Sequence, residues 1–525
     1  MHKRRADLAI VLLVLILPVV WFNQVLWPGL SGKTMLPYDN LYAFEPWHSL
    51  RPDVVPYNAL LSDLVLENAV WELHARRMFM SGQLPLWNPQ ILAGAPFLAD
   101  AQGSVLYPLD LVLYWMPLAE AFGWYTALHV VVAGLGTYAL GRLLGLHRPA
   151  ALFAALAYMF GGAFITSATF PQVIGVAAWI PTMVAVVERT VQQRRASRRL
   201  WLGGTLVVAT QFLAGHPEIS IYLLLTVGAY AAARLAMLGR ALVRPALQIT
   251  SMIIVGAALA AIQLLPTLEA VGNNARTGAR TATDLAAVAW PLPQLWTLLL
   301  PDLFGNPTHH EWLDIWSATW RQSDSGTIFW GVKNYVEAGQ YLGVLTLLLA
   351  IIGLVRGRRT YTLIFGVMAL LALLFVLGSP LYLALQGVPG FTQLRSPFRW
   401  VLPLGFIAAM LAGMGLDAIL ERPLRARLAG LGGVAFGTLV LGAVGLSLLW
   451  QEPFFKLAQR FVTDPAWAER AFGPAARYLP SALNTPAMFW GYESQGLLRL
   501  GLFAVLGGVA LLLVRKHTLA ATALV

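Results

Sequence analysis

Apolar runs long enough to cross a bilayer recur along this chain and leave few folds open to it. About 20 predominantly apolar residues span a hydrocarbon core. Roughly twelve such stretches can be marked, at 7–27, 120–142, 150–168, 171–188, 200–214, 219–238, 246–265, 337–355, 361–378, 399–418, 429–450 and 497–514. They explain why 58% of the residues are hydrophobic and only 12% charged, when a soluble domain carries about 25% charged residues. Disorder and a conventional soluble enzyme are excluded. The absence of Cys excludes disulfides, zinc–thiolate centres and Cys nucleophiles. The first run follows His2, Lys3, Arg4 and Arg5, and no small-residue cleavage site comes after it. That pattern predicts a retained span with a cytosolic N-terminus, not a removed signal peptide.

Charge placement orients the spans. An even number of crossings puts both termini on the cytosolic side. The connections then assigned to that side hold 21 of the 36 basic residues and only Asp7, Glu188, Asp417 and Glu421 among the acids. This agrees with the excess of Lys and Arg in cytoplasmic loops. The net +11 is therefore a topology signal. The basic runs 192–199 and 356–359 orient the chain and touch lipid headgroups, so no nucleic-acid partner is expected. The cytosolic connections are short, and the long ones, 28–119, 266–336 and 451–496, fall outside. The expectation is an all-α polytopic membrane protein of about twelve transmembrane helices, 1–525 forming one integral membrane domain with large extracytoplasmic loops.

The outer loops carry the polar chemistry. In the first, LPYDNLYAFEPW (36–47) holds Asp39 and Glu45, and SDLVLENAVW (62–71) holds Asp63 and Glu67, four apart on one helix face. An amphipathic helix is predicted near 60–80, lying in the membrane interface or packed on other loops. A carboxylate there could take the proton of an attacking hydroxyl, or it could cap a helix or pair with Arg51, Arg76 or Arg77. The segment 82–108, dense in Pro, Gly, amides and aromatics, includes Trp87, Asn88, Gln102 and Tyr107. Such residues build a rigid irregular backbone, suited to a headgroup or sugar floor or to a connector. GHPE (215–218) places His216 and Glu218 at an outer turn, to touch substrate or merely to end a helix.

LPLWNP, GAPFLADAQ, the following YP, AGHPEISIY (214–222) and LRSPFRW (394–400) occur in one order, and in this the chain resembles the YfhO family of bacterial membrane proteins. The resemblance implies a GT-C type glycosyltransferase fold in the bacterial plasma membrane. It implies a polyprenyl-phosphate sugar donor and an envelope glycopolymer, lipid or protein acceptor. It places the catalytic acid in the first outer loop. Asp63, with Glu67 and Trp71, matches the family's spacing there, and Asp39 matches the habit of an acid soon after the first span. Glu67 stands where a Gln is common. Arg395 and Arg399, at i,i+4, would hold the donor phosphate or anchor a helix end at headgroups. Arg276, Arg280, Arg321 and Lys333 are further cations of the outer loops.

The family leaves room for a divalent cation, but His309, His310 and Glu311 lack metal-ligand spacing and no HExxH occurs, so no metal site is assigned. GLGTYALG (134–141) lies inside a span, Gly433 and Gly437 suit close helix packing, and neither a P-loop nor GxSxG is present. A lipid or polysaccharide flippase and a non-catalytic envelope-assembly scaffold are the alternatives to the transferase. Spans almost free of ionisable groups count against transport.

Overall fold

The computed structural model describes residues 2–273, 281–323, 326–386, 388, 391, 394 and 396–513. Helix dominates. Nine helices among the described residues are long and apolar enough to cross a membrane, which makes this a multi-pass membrane protein. They are Leu118–Leu143, Arg148–Thr169, Pro171–Gln193, Pro217–Ala236, Gly239–Leu259, Arg359–Val376, Pro397–Leu420, Arg425–Leu449 and Pro486–Leu513. The other three expected spans are helical too. His2–Trp21 opens on charged residues. Arg198–Leu213 and Val344–Arg356, of 16 and 13 residues, rise only about 24 and 20 Å, short of the roughly 30 Å core. Proline at the first helical turn marks many starts, as at Pro108, Pro171, Pro217, Pro397 and Pro465. Its missing N–H has no intrahelical acceptor there.

The chain divides into two compact units. The first comprises Met1–Phe160, Ser167–Arg280 and Gln386–Leu394. Small residues let its helices approach closely: Gly134 abuts Met159 and Val14, and Gly141 abuts Ala151. At the basic ends, Arg148 lies 2.7 Å from Asp7. Arg234 lies 2.7 Å from the fully buried Glu188, which also accepts from the Tyr230 hydroxyl at 2.9 Å.

The second unit comprises Gly161–Thr166, Thr281–Leu385 and Arg395–Val525. Helix Pro397–Leu420 is its centre, with 94% of its apolar window buried, whereas Arg425–Leu449 has 17% buried and leaves the rest exposed. Glycines set the spacing. A side chain at Gly353 would meet the Leu411 carbonyl, and one at Gly415 the Leu349 carbonyl. Gly433 and Gly437 abut Gly508 and Gly501 in the same way, as the GxxxG spacing predicts.

The loops of this unit are folded. Antiparallel ribbons pair Gly305–Asn306 with Ile328–Phe329 and Glu311–Asp314 with Thr319–Gln322. Helices Gln451–Thr463 and Pro465–Phe472 follow. Phe304, Trp312, Trp330, Phe472, Phe489 and Trp490 form one aromatic core. The last helix begins at Pro486, eleven residues before the span expected at 497, and so carries Glu493 within it.

Candidate functional site

The first unit holds the candidate site, near the starts of Leu118–Leu143 and Pro171–Gln193. Helix Ala69–Met80 supplies one wall, preceded by a wider turn at Leu64–Asn68. Its Glu72 and Arg76 are one turn apart and pair at 3.1 Å. Arg76 also donates to the carbonyls of Leu113, at 3.2 Å, and Met116. It thereby satisfies the end of the short helix Pro108–Leu113, whose carbonyls have no partner within the helix. That helix carries Asp110, whose Oδ2 accepts from the Ser104 hydroxyl at 2.6 Å.

The backbone bends sharply between these pieces. Ala101 and Ser104 have φ of +60° and +42°, a region costly for residues other than glycine. Gly215 fits against this bend. Its own φ is +89°, and a Cβ there would lie 2.8 Å from the Ala101 carbonyl oxygen. The AGHPE and LADAQ segments therefore meet in space. His216 serves that turn as a helix cap, its Nδ1 accepting from the Ile219 amide at 3.4 Å, and Glu218 accepts from the Tyr222 hydroxyl at 3.0 Å.

These elements enclose a pocket lined by Asn68, Trp71, Glu72, Gln102, Asp110 and Gln172, with Tyr125 at its base. The Gln172 amide donates to Asn68 Oδ1 and, at 2.8 Å, to the Gln102 carbonyl. The Tyr125 hydroxyl is buried and has no hydrogen-bond partner among the described residues. Free space is about 30 Å³, room for one water or one hydroxyl. Behind the pocket, Tyr107 lies 2.7 Å from His129 Nε2 and accepts from Trp179 Nε1 at 3.0 Å. His129 Nδ1 lies 2.7 Å from the Tyr125 carbonyl. That carbonyl requires Nδ1 to donate, so Nε2 is the acceptor for Tyr107.

Electrostatics separate the two acids from ordinary surface carboxylates. Burial pushes Glu72 up to about 7, although Arg76 pulls the other way. Its side chain is 14% exposed. Asp110 is raised well above the usual range, first by burial and then by the Glu72 charge, against the Ser104 hydroxyl and Arg76. Desolvation disfavours the charged form in both. Tyr107 and Tyr114 are raised chiefly by burial and remain phenols.

Of the residues expected to act, Gln102 lines this pocket and Tyr107 stands in the buried network behind it. Asp39 accepts from the Tyr57 amide at 2.6 Å and pins its loop. Glu45 is exposed and accepts from Ser49 at 2.7 Å. Asp63 and Glu67 are exposed one turn apart. Partial burial, then Asp63 and Asp100, raise Glu67. Trp87 is exposed but covers Gly94, and the buried Asn88 pairs with Ala95 in a small bridge. Those contacts make 82–108 a self-bracing loop. Arg399 belongs to the second unit, with its guanidinium 5.7 Å from the Phe398 ring. Arg321 lies 3.4 Å from Asp314, and Lys333 donates to the Ala287 carbonyl. Arg276, Arg280 and Arg395 lie outside the described residues.

Glu72, Asp110 and Gln172 were not singled out by the sequence. The i,i+4 spacing of Glu72 and Arg76 was the one available signal. Comparison with protein-family models, with curated proteins and with solved structures gave no match to this chain.

Proposed function

We propose that this chain is a membrane glycosyltransferase of GT-C type, working in a bacterial plasma membrane with both termini cytoplasmic and the first-unit pocket facing outward. The donor class, a polyprenyl-phosphate sugar, rests on the resemblance carried by LPLWNP, GAPFLADAQ and AGHPEISIY. The observation that supports transfer chemistry is one pocket lined by two charge-disfavoured carboxylates, Asp110 buried and Glu72 largely so, and a set of side-chain amides. Perturbed carboxylates in a cleft are where acid–base work is found, and amides suit sugar hydroxyls.

Glu72 is the general base of this reading. A group that titrates near neutrality is matched to proton abstraction at physiological pH. The acceptor hydroxyl occupies the small space beside Glu72. Its oxygen attacks the anomeric carbon, the bond from that carbon to the phosphate oxygen breaks, and the hydroxyl proton passes to Glu72. The displacement inverts the anomeric centre, and the phosphate leaves with the bonding pair. Asp110, whose charged form burial disfavours, is held by Ser104. Asn68 and Gln172, joined by their amides, orient the acceptor. The reaction assigns no step to a metal.

The test supplies purified full-length protein with radiolabelled polyprenyl-phosphate hexose and an envelope extract. Transfer that is lost in Glu72→Gln supports the reading. Loss in Asp63→Asn or Asp39→Asn with Glu72→Gln active returns the base to those residues. Lipid movement without transfer replaces the enzyme by a flippase, and neither activity leaves the scaffold.

A further inference from the structure

The second unit contains another cavity with polar groups in it, where the middle of helix Pro486–Leu513 meets residues 299–309. Asp302, His309, Tyr492, Glu493 and Arg499 surround about 80 Å³ of free space. Most of these groups are mutually satisfied. Asp302 accepts from the Tyr335 hydroxyl at 2.7 Å and from Asn306 at 2.9 Å, and Arg499 lies 3.1 Å from it. His309 Nδ1 lies 2.9 Å from the Tyr492 hydroxyl. Glu493 differs. Its Oε1 is shut off from solvent and has no hydrogen-bond partner among the described residues.

A buried carboxylate oxygen without a donor is unfavourable, so the cavity is incomplete as it stands. Two carboxylates, Asp302 and Glu493, face one guanidinium, Arg499, across the cavity, so a small cationic N–H donor suits it. A hard metal ion fits poorly, because the Asp302 oxygens are taken by three donors and His309 Nδ1 by Tyr492. A primary ammonium on one or two carbons fits the volume, given that water occupies roughly 30 Å³.

The rim indicates what the ammonium is attached to. The Arg499 side chain is 54% exposed, and a guanidinium has five N–H donors suited to phosphate oxygens. Phe503 and Leu506 follow at i+4 and i+7, each 49% exposed. They share the Arg499 face of the helix, and Phe503 also lines the cavity. Glu493 and Arg499 open into the same cavity, and from Arg499 the guanidinium and the apolar stripe succeed one another along one helix face. We propose that this cavity binds an aminophospholipid such as phosphatidylethanolamine. Glu493 receives the ammonium beside Asp302, Arg499 receives the phosphate, and an acyl chain lies along Phe503 and Leu506. The site stands whether or not the first unit transfers sugar.

The full-length protein, purified and delipidated in detergent, is incubated with dioleoyl phosphatidylethanolamine, phosphatidylcholine and phosphatidylglycerol. Bound lipid is read by native mass spectrometry and Tm by thermal melting. The ethanolamine lipid is expected to be retained roughly tenfold over the other two, which corresponds to one lost charge-assisted contact, and it alone raises Tm. Glu493→Gln removes both effects. Arg499→Gln, at a half-exposed position, weakens retention. Equal retention of the three lipids, or an unchanged preference in both variants, overturns the site. Equal protection by water-soluble phosphoethanolamine overturns the lipid assignment and leaves a free amine as the ligand.

Discussion

Arg76 binds the Glu72 carboxylate at 3.1 Å through Nε and spends its terminal nitrogens on the carbonyls of Leu113 and Met116. One side chain therefore holds the acid and anchors the short helix that carries Asp110. Removing it should act on stability more than chemistry alone would suggest. Breaking one partner of a buried pair costs about 3–5 kcal/mol. Arg76→Met is expected to lower the Tm in detergent by several degrees. Glu72→Gln keeps an acceptor for Arg76, so it should fold with a small Tm change and lose transfer by about 10²-fold or more. A Glu72→Gln protein with full activity would remove Glu72 from the mechanism.

The raised Glu72 gives two pH effects of opposite direction. Its folded pKa, about 7, lies above the ordinary 4.5, so between those values the folded state binds more protons than the unfolded one. Stability should therefore fall as pH rises through that window and level off above about pH 7. Activity should rise through the same window, because the base must be ionised, with half-maximum near pH 7. Burial also raises Asp110 and disfavours its charge, so Asp110→Asn, which removes that charge altogether, should keep the rising limb in place. A pH–rate profile of the wild type and this variant checks both points. A limb near pH 4.5 would show that Glu72 is not the titrating base.

Much of the architecture was legible because its causes are local. Apolar length fixes a span, and a Pro at the first turn fixes its start, as at Pro171 and Pro217. The start of the last helix was missed because residues 486–496 are polar enough to read as loop. Phe489 and Trp490 bury themselves in an aromatic core supplied by residues about 160 positions earlier, such as Trp330. The site was less legible for the same reason. Asp63 and Glu67 share a helix face by their spacing, but both are exposed. Glu72 and Asp110 look like ordinary loop acids until the chain brings Ser104, Gln172 and Tyr125 around them. Burial of a carboxylate is a property of distant neighbours, and no spacing rule encodes it.

Helix spacing in the second unit depends on glycine at Gly353 and Gly415, where a Cβ would press on the facing helix's carbonyls. Backbone cannot yield as a side chain can, so Gly415→Ala should cost about 1–3 kcal/mol. Gly432→Ala, on a helix face with nothing within 4 Å, should be neutral or slightly stabilising, since alanine is the better helix former. Thermal melts of the two variants in one detergent test the contrast. Equal melting temperatures would mean that the 353–415 contact does not hold the unit together.

The proposed orientation can be read without a background signal, because the chain has no Cys. Ser81 ends helix Ala69–Met80, and Ser197 caps helix Arg198–Leu213; both are exposed. The positive-inside rule sets Ser197, flanked by Arg194, Arg195, Arg198 and Arg199, in the cytosol, and places Ser81 outside. Ser81→Cys should therefore react with a membrane-impermeant maleimide in intact cells, and Ser197→Cys only after permeabilisation. The reverse pattern would turn the protein over in the membrane. The first-unit pocket would then face the cytosol, where the donor would present its sugar to a different set of acceptors.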